Sequence, residues 1–496
     1  MTTLVLLNGK DLTLDALDGI AGGAQVSLAE DGLTRMRAGR AVLVKALAEQ
    51  RPMYGITTGL GPRVVERLSP EEQQSMSVRT IRGRAHSVGK PLPRRAVRAA
   101  MAVRANTLLI GGAGADPALA ELIVDCLNAD LTPVIGETGS IGAADLMWGG
   151  NMGLALIGEG EMFTDAGRVN SGDALRAAGL QPYAPGPREG LVLASNSSMV
   201  AGIAATGLIR ARSMFESTQM AVAMSFEGFR ANLTPFDPDV LSMRPQAGQT
   251  EAAEGIRDRL VGSLLLQPGN ARRVQDPLSL RNVAQIHGAV LAALRVAEEA
   301  VTAEINASSD NPVVLANRDE ILSSGGYLTP HLALVLGGVL QSFVHMAAAQ
   351  AARMATTLTP RFTDLPVGLA AGGVGSAGIA PAMKTAEALF SEVVQKAQPS
   401  PVYPGGAADG VEDVVTHSAV PAKMLHEICD RMEMLAAMEL IIGCQAVELR
   451  ELNIISPKVA EAMSKVRDVV APMTEDRSLS QDFESLAEQV RRGVFA

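Results

Sequence analysis

Two stretches of the chain, Gly190 to Ile209 and Leu328 to Met354, run almost without charge over a length that would cross a bilayer. Segments like these either span a membrane or lie buried along most of their length inside a helical protein. Both are broken by polar residues, Asn196-Ser197-Ser198 in the first and Gln341, Ser342 and Gln350 in the second. Neither has a basic flank set apart from its surroundings. Buried helices of a large bundle fit them better than membrane spans. Aromatic residues make up only 3% of the chain, so Ala, Leu, Val and Met carry the apolar load. Small and unbranched side chains of this kind favour packed helices.

The first half alternates short periodic segments with Gly/Pro punctuation at Gly55–Pro62, Gly111–Pro117, Pro133–Gly142 and Pro182–Pro187, which marks turns between modest helices. Further on the helical segments lengthen. Met424, Ile428, Met432, Leu435, Met438 and Ile442 recur at helical spacing with Glu427, Arg431 and Glu439 between them, the pattern of an amphipathic helix with one buried stripe. Leu4–Leu7 reads as a short edge strand. The expected fold is therefore mainly α: an irregular N-terminal domain over 1–205 and a long helical bundle over 206–496.

The formal charge is −10 with no Lys/Arg block, which argues against nucleic acid or an anionic membrane as partner. Cys126, Cys429 and Cys444 form no C-x-x-C pair and read as buried, reduced thiols of a cytoplasmic protein. The first dozen residues carry Asp and Lys and no apolar core of a signal peptide.

Generic motifs contribute little. Gly111-Gly112-Ala113-Gly114 lacks the preceding strand and the G-K-[ST] of a phosphate loop, and reads as a turn between helices. The six histidines show no metal-ligand spacing, so no metal is expected. There is no G-x-S-x-G elbow.

What remains is a set of polar residues in apolar or Gly-rich surroundings. Tyr54 opens Tyr54-Gly55-Ile56-Thr57-Thr58-Gly59-Leu60-Gly61, a loop whose glycines let the backbone close tightly. A packed turn tyrosine would look the same. Arg281 ends Asp276-Pro277-Leu278-Ser279-Leu280-Arg281, where a guanidinium can clamp a carboxylate or form a surface salt bridge. Glu304, Asn306, Asp310 and Asn311 precede Pro312 and read first as a helix end and turn. Glu412-Asp413 lies in a Gly-rich loop ending at His417.

Their order and local sequence resemble the aromatic amino acid ammonia-lyase family from about Tyr54 to about His417. The Tyr54 loop resembles the segment bearing the family's catalytic tyrosine. Ala85-His86-Ser87-Val88-Gly89 resembles Ser-His-x-x-Gly, and Gln275 to Arg281 resembles Gln-Asp-x-Tyr-Ser-x-Arg, whose arginine holds the substrate carboxylate. Gln285 falls at the glutamine that follows. Glu304 to Pro312 is similar to Glu-x-Asn-x-x-Ser-Asp-Asn-Pro, and Val411-Glu412-Asp413 to the late Gln-Glu-Asp. Asn196 sits close to the asparagine that follows Gly-Leu-x-Leu.

The departures bear on mechanism. The family reads Gly-Ser-x-Gly-Ala-Ser-Gly-Asp-Leu, and its Ala-Ser-Gly cyclises and dehydrates to the electrophile methylidene-imidazolone. This chain reads Gly139-Ser140-Ile141-Gly142-Ala143-Ala144-Asp145-Leu146. Alanine has no hydroxyl to lose, so no such cofactor is expected. A mature chromophore written as one letter would leave a single residue between Gly142 and Asp145, and two stand there. Leu278 replaces the tyrosine before Ser-x-Arg. Gly325-Gly326-Tyr327-Leu328-Thr329 replaces Gly-Gly-Asn-Phe-His, and Met147-Trp148 follows Leu146 where the family has Ala-Pro.

The resemblance implies Tyr54 as base, Glu412 as proton carrier at the leaving group and Arg281 as carboxylate anchor. His86, Asn196, Gln285 and Asn311 would contact the substrate, in a homotetramer. A free phenol ionises near pH 10, roughly, so the base needs positive charge nearby. A placed acid or base contributes on the order of 10²–10⁴-fold, which suits an easier elimination than loss of ammonia from an unactivated amino acid. Three readings follow: a lyase acting on a small amino or hydroxy carboxylate without the imidazolone; a conventional histidine-type ammonia-lyase whose chromophore the notation hides; and a non-catalytic binding homologue.

Overall fold

A computed structural model of the chain describes residues 4–400, 404–452 and 454–496. It is 58% helical with few strands, the mainly α architecture expected. Two compact units form. One comprises Met1–Ile209, Glu298–Leu336 and Ser400–Lys423; the other comprises Arg210–Ala297, Gly337–Pro399 and Met424–Ala496. The chain leaves the first unit after Ile209 and returns to it twice, so neither unit is one continuous block such as 1–205 or 206–496. Helix length supplies the reason. Val283–Glu304 has 22 residues, roughly 33 Å at about 1.5 Å per residue, so the two ends of such a helix serve different cores.

In the first unit Leu4–Leu7 pairs in parallel with Gln25–Leu28, and the other sheets have two or three short strands. Two matter below: Val88–Pro91 with Gly136–Thr138, and Pro404–Ala407 with Glu412–Val414. The helix Arg94–Leu108 is buried along nearly all its length. Its Arg104 pairs with Asp310 at 2.8 Å, both side chains at most 2% exposed, and donates to the Val192 carbonyl at 2.6 Å. Pairing of this kind lets buried charges persist, although Arg104 Nε has no hydrogen-bond partner among the described residues. Asn306 accepts from the Leu12 N–H at 2.9 Å and from Asn106 Nδ2 at 3.0 Å. The polar Glu304–Asn311 run thus ties this unit together.

The helix Ala419–Leu449, which lies in the second unit from Met424 on, corrects one expectation. Ile428, Met432, Leu435, Met438 and Ile442 are fully buried as their spacing implies, but Glu433 and Glu439 are fully buried too. Arg353 holds Glu439 with Nε–Oε1 at 2.5 Å and Nη2–Oε2 at 2.9 Å, and Ser225 Oγ donates to it at 2.9 Å. Neutralised this way, an acid can face a core, and the buried surface is wider than one stripe.

Glu189–Phe229 and Pro330–Thr357 are apolar enough to cross a membrane by length and composition, and their most apolar windows are 89% and 56% buried. All three cysteines are free and buried. No cluster of His, Cys, Asp and Glu suited to a metal occurs among the described residues.

Candidate active site

The altered loop, Ser140 to Asp145, is gripped from three directions within the first unit. Gly142 has φ +75°, and a Cβ there would lie 2.1 Å from Thr416 Oγ1 and 2.8 Å from the His417 nitrogen, so only glycine fits. Its carbonyl accepts from Thr416 Oγ1 at 2.9 Å, while the His417 N–H donates to Ile141 at 2.9 Å. Ala143 bridges to Leu328. The Ala144 N–H donates to the Tyr327 carbonyl at 3.1 Å, and its own carbonyl accepts from the Asn196 N–H at 2.9 Å. Ala144 and Asp145 both occupy the left-handed region, at φ 66° and 46°, which costs on the order of 1 kcal/mol per residue. Their surroundings over-determine this strain, as is common at functional sites.

Asp145 is 2% exposed. Its carboxylate accepts from the Ser140 hydroxyl and from the Val200 N–H at 2.8 Å, at the start of the helix Ser198–Phe229. Burial still prevails and pushes its carboxyl up to about 6, against those two hydrogen bonds and with some help from nearby Glu304. Glu304 accepts from the Ser197 hydroxyl, and burial raises its carboxyl as well.

Tyr54 sits half-buried in its turn, its phenol oxygen accepting from the Gly61 N–H at 3.0 Å. The short turn that begins there, Gly61–Val65, packs against the turn Ala408–Gly410, which leads directly into Glu412–Val414. The structure thereby brings the Tyr54 loop and the Glu412 loop together. Burial raises the half-buried Glu412 carboxyl, and the Arg84 cation opposes it. Arg84, which sequence reasoning missed, is half-buried, and burial lowers its guanidinium against the opposing charges of Tyr54 and Glu412. Its only signal was its place two residues before His86. The segment from Glu412 continues to Thr416, His417 and Ser418, so one short run of chain joins this cluster to the altered loop.

The other candidates differ in what their side chains do. His86 is exposed. The Asn196 amide donates to the Val192 and Leu193 carbonyls at 3.2 and 3.1 Å and accepts from the N–H and hydroxyl of Ser198. That uses both its donors and both its lone pairs, so the amide is saturated by the helix junction and has nothing left with which to orient a substrate. Asn311 Oδ1 takes the Ser324 N–H at 2.9 Å. Arg281 and Gln285 belong to the second unit, where Arg281 closes the short helix Leu278–Arg281 and Gln285 stands in the first turn of Val283–Glu304. Arg281 Nε and Gln285 Oε1 are both buried without a hydrogen-bond partner among the described residues. Buried polar atoms without partners are uncommon in a folded protein, and these two stand on adjacent turns.

The aromatic amino acid lyase family model matches residues 12–468. Histidine ammonia-lyase of Anaeromyxobacter dehalogenans is 33% identical over 506 residues, covering 100% of this chain and 99% of that one. Histidine ammonia-lyase of Myxococcus xanthus is 31% identical, covering 99% and 97%. Among solved structures, ergothionase from Treponema denticola, an ergothioneine-degrading enzyme, superposes with TM-score 0.95 at 26% identity over 99% of both chains. Histidine ammonia-lyase from Trypanosoma cruzi superposes with TM-score 0.91 at 27% identity over 99% of this chain and 94% of that one. With matches along nearly its whole length, the chain belongs to the aromatic amino acid lyase family and is a lyase.

Proposed function

We propose that this lyase eliminates a leaving group from a small α-substituted carboxylate, or adds it in reverse, without a methylidene-imidazolone. The observation that carries the reading is the pair Ala143-Ala144. Neither side chain holds a hydroxyl to lose, and the backbone N–H and C=O of Ala144 are both committed to hydrogen bonds. The residues present do not fit the family's electrophile.

Without an electrophile on the amine, the nitrogen must leave unaided. A quaternary ammonium meets that condition, since it departs as a neutral tertiary amine. The base takes a proton from the carbon next to the one bearing nitrogen, that electron pair forms the C=C bond, and the C–N pair leaves with the amine. Ergothioneine, the trimethylammonium betaine of a sulfur-bearing histidine, is such a molecule, and the Treponema denticola structure carries an analogue of it. Within the first unit Tyr54 serves as base and Glu412 faces the departing cation; the carboxylate roles of Arg281 and Gln285 are those the family resemblance implies. The exposed Leu334, at 75%, and the open space at Gly337 and Gly338 on the same helix support self-association, which we take to be a homotetramer; light scattering on the eluting protein tests it.

The purified protein should release trimethylamine and an absorbing unsaturated acid from ergothioneine, and borohydride should leave that activity intact. Inactivation by borohydride, or an intact-protein mass short by the water lost in ring formation, would reinstate the imidazolone. The reading as a conventional histidine ammonia-lyase, favoured by the named relatives, would then be correct, with ammonia released from histidine.

A further inference from the structure

The helix Leu146–Leu156, which issues from the altered loop, reaches back to the strand that leads into that loop. Trp148 is fully buried, and its indole N–H donates to the Gly136 carbonyl at 2.9 Å. Asn151 is its neighbour one turn along the same face. The Asn151 Oδ1 accepts from the Ser87 N–H at 3.1 Å and from the Ser87 hydroxyl at 2.9 Å. Ser87 Oγ in turn accepts from the Gly136 N–H at 3.0 Å. Both backbone groups of Gly136 are thus tied to the helix, one directly and one through Ser87. The next carbonyl, that of Glu137, accepts from Lys423 Nζ at 2.9 Å. Gly149 and Gly150 seat the helix. A Cβ on the first would lie 2.5 Å from the Ala194 carbonyl oxygen, and on the second 2.5 Å from the Arg84 carbonyl carbon.

We propose that Trp148 is a positioning residue, whose hydrogen bond closes the base of the loop over 137–145 and so holds Ala144 and Asp145 in their left-handed backbone. The role rests on the elimination proposed above, which takes this loop as part of its site. Two consecutive non-glycine residues keep such a backbone only where their surroundings over-determine it. Thr416, His417 and Tyr327 hold the far side of the loop. Trp148 and the Ser87–Asn151 pair hold its two ends together, 12 residues apart in sequence, which removes the slack that a shift at the alanines would need. Without the indole N–H the Gly136 carbonyl loses its partner beside a fully buried ring, and the strand relaxes toward another one.

Trp148 is the only tryptophan of the chain, so tryptophan analogues change this one side chain. Full-length protein made with benzothienylalanine keeps the ring shape and carries sulfur in place of the N–H; fluorotryptophan keeps the N–H and is the control. Hydrogen exchange without substrate should quicken about tenfold over 137–147 in the sulfur-bearing protein, the worth of one hydrogen bond. It should stay unchanged in the control, and in the helix Arg94–Leu108 of both. With ergothioneine as probe, kcat should fall about ten- to a hundredfold with KM nearly level. Loop exchange unmoved in the sulfur-bearing protein overturns the proposal, and so does quickened exchange with kcat unchanged. Equal quickening in Arg94–Leu108 also overturns it, because the bond then serves the whole unit. Asn151→Ala, which opens the other tie, takes over with the same expectations if the sulfur-bearing protein does not fold. Should the unmodified protein leave ergothioneine intact, the elimination fails as a reading, and loop exchange alone decides whether Trp148 holds the loop.

Discussion

Val200 donates its backbone N–H to the Asp145 carboxylate at 2.8 Å, tying the residue after the alanine pair to the first turn of the helix Ser198–Phe229. The helix N-terminus favours the anion, yet burial pushes the carboxyl up to about 6 from an ordinary 3.8. The folded protein therefore keeps a proton that the unfolded chain has released. The associated stability is full below about pH 4 and is lost as pH rises through about 6. Two units at about 1.4 kcal/mol each put the loss at about 3 kcal/mol. In Asp145→Asn this dependence should vanish. Urea denaturation of both proteins between about pH 4 and 7 checks it, and parallel stability curves would refute it.

Arg281→Ala should weaken binding of a carboxylate substrate by about ten- to a hundredfold, the worth of a charge-assisted hydrogen bond. Stability should change little, because Arg281 Nε has no hydrogen-bond partner to lose among the described residues. Kinetics with the substrate and with its carboxamide separate the two: KM should rise for the acid and stay level for the amide.

Arg353→Ala leaves Glu439, fully buried, without its counter-ion. Loss of one member of a buried pair costs about 3–5 kcal/mol, and the denaturation midpoint should fall accordingly. Substituting both at once, with Arg353→Met and Glu439→Leu, should recover much of that loss. A double variant as unstable as the single one would show that the charge is not the cause.

Gly142→Ala meets Thr416 and the backbone of His417 together. Overpacking of about 1–3 kcal/mol adds to about 1 kcal/mol for the left-handed backbone. Thr416→Ala in the same chain should restore only part, since the His417 nitrogen stays in the way at 2.8 Å. Thermal unfolding of the single and double variants tests this; full recovery in the double variant would place the whole conflict in the Thr416 side chain.

The long helices could be read from the chain because Ala-rich, charge-poor runs have few other ways to fold. The small sheets could not. Strands such as Glu412–Val414 and Gly136–Thr138 have three residues each, too few for alternation to register. Glu439 misled for a related reason: its partner Arg353 is far away in sequence, so nothing local marks it as neutralised. Tyr54, Glu412 and Arg281 stood out through motifs, whereas nothing in the local sequence marks Arg84, half-buried after the helix Pro70–Arg82. Asn196 shows the converse. Its letter suggested a ligand contact, and its geometry makes it a clasp between helices.

The run from Glu412 to Ser418 has an acid at one end and the fastening of the Gly142 turn at the other. Loop and acid are therefore a single mechanical part. An inserted residue would meet a turn already filled and bonded, with Thr416 and His417 against Gly142. A change made in this turn should therefore be felt at Glu412 as well.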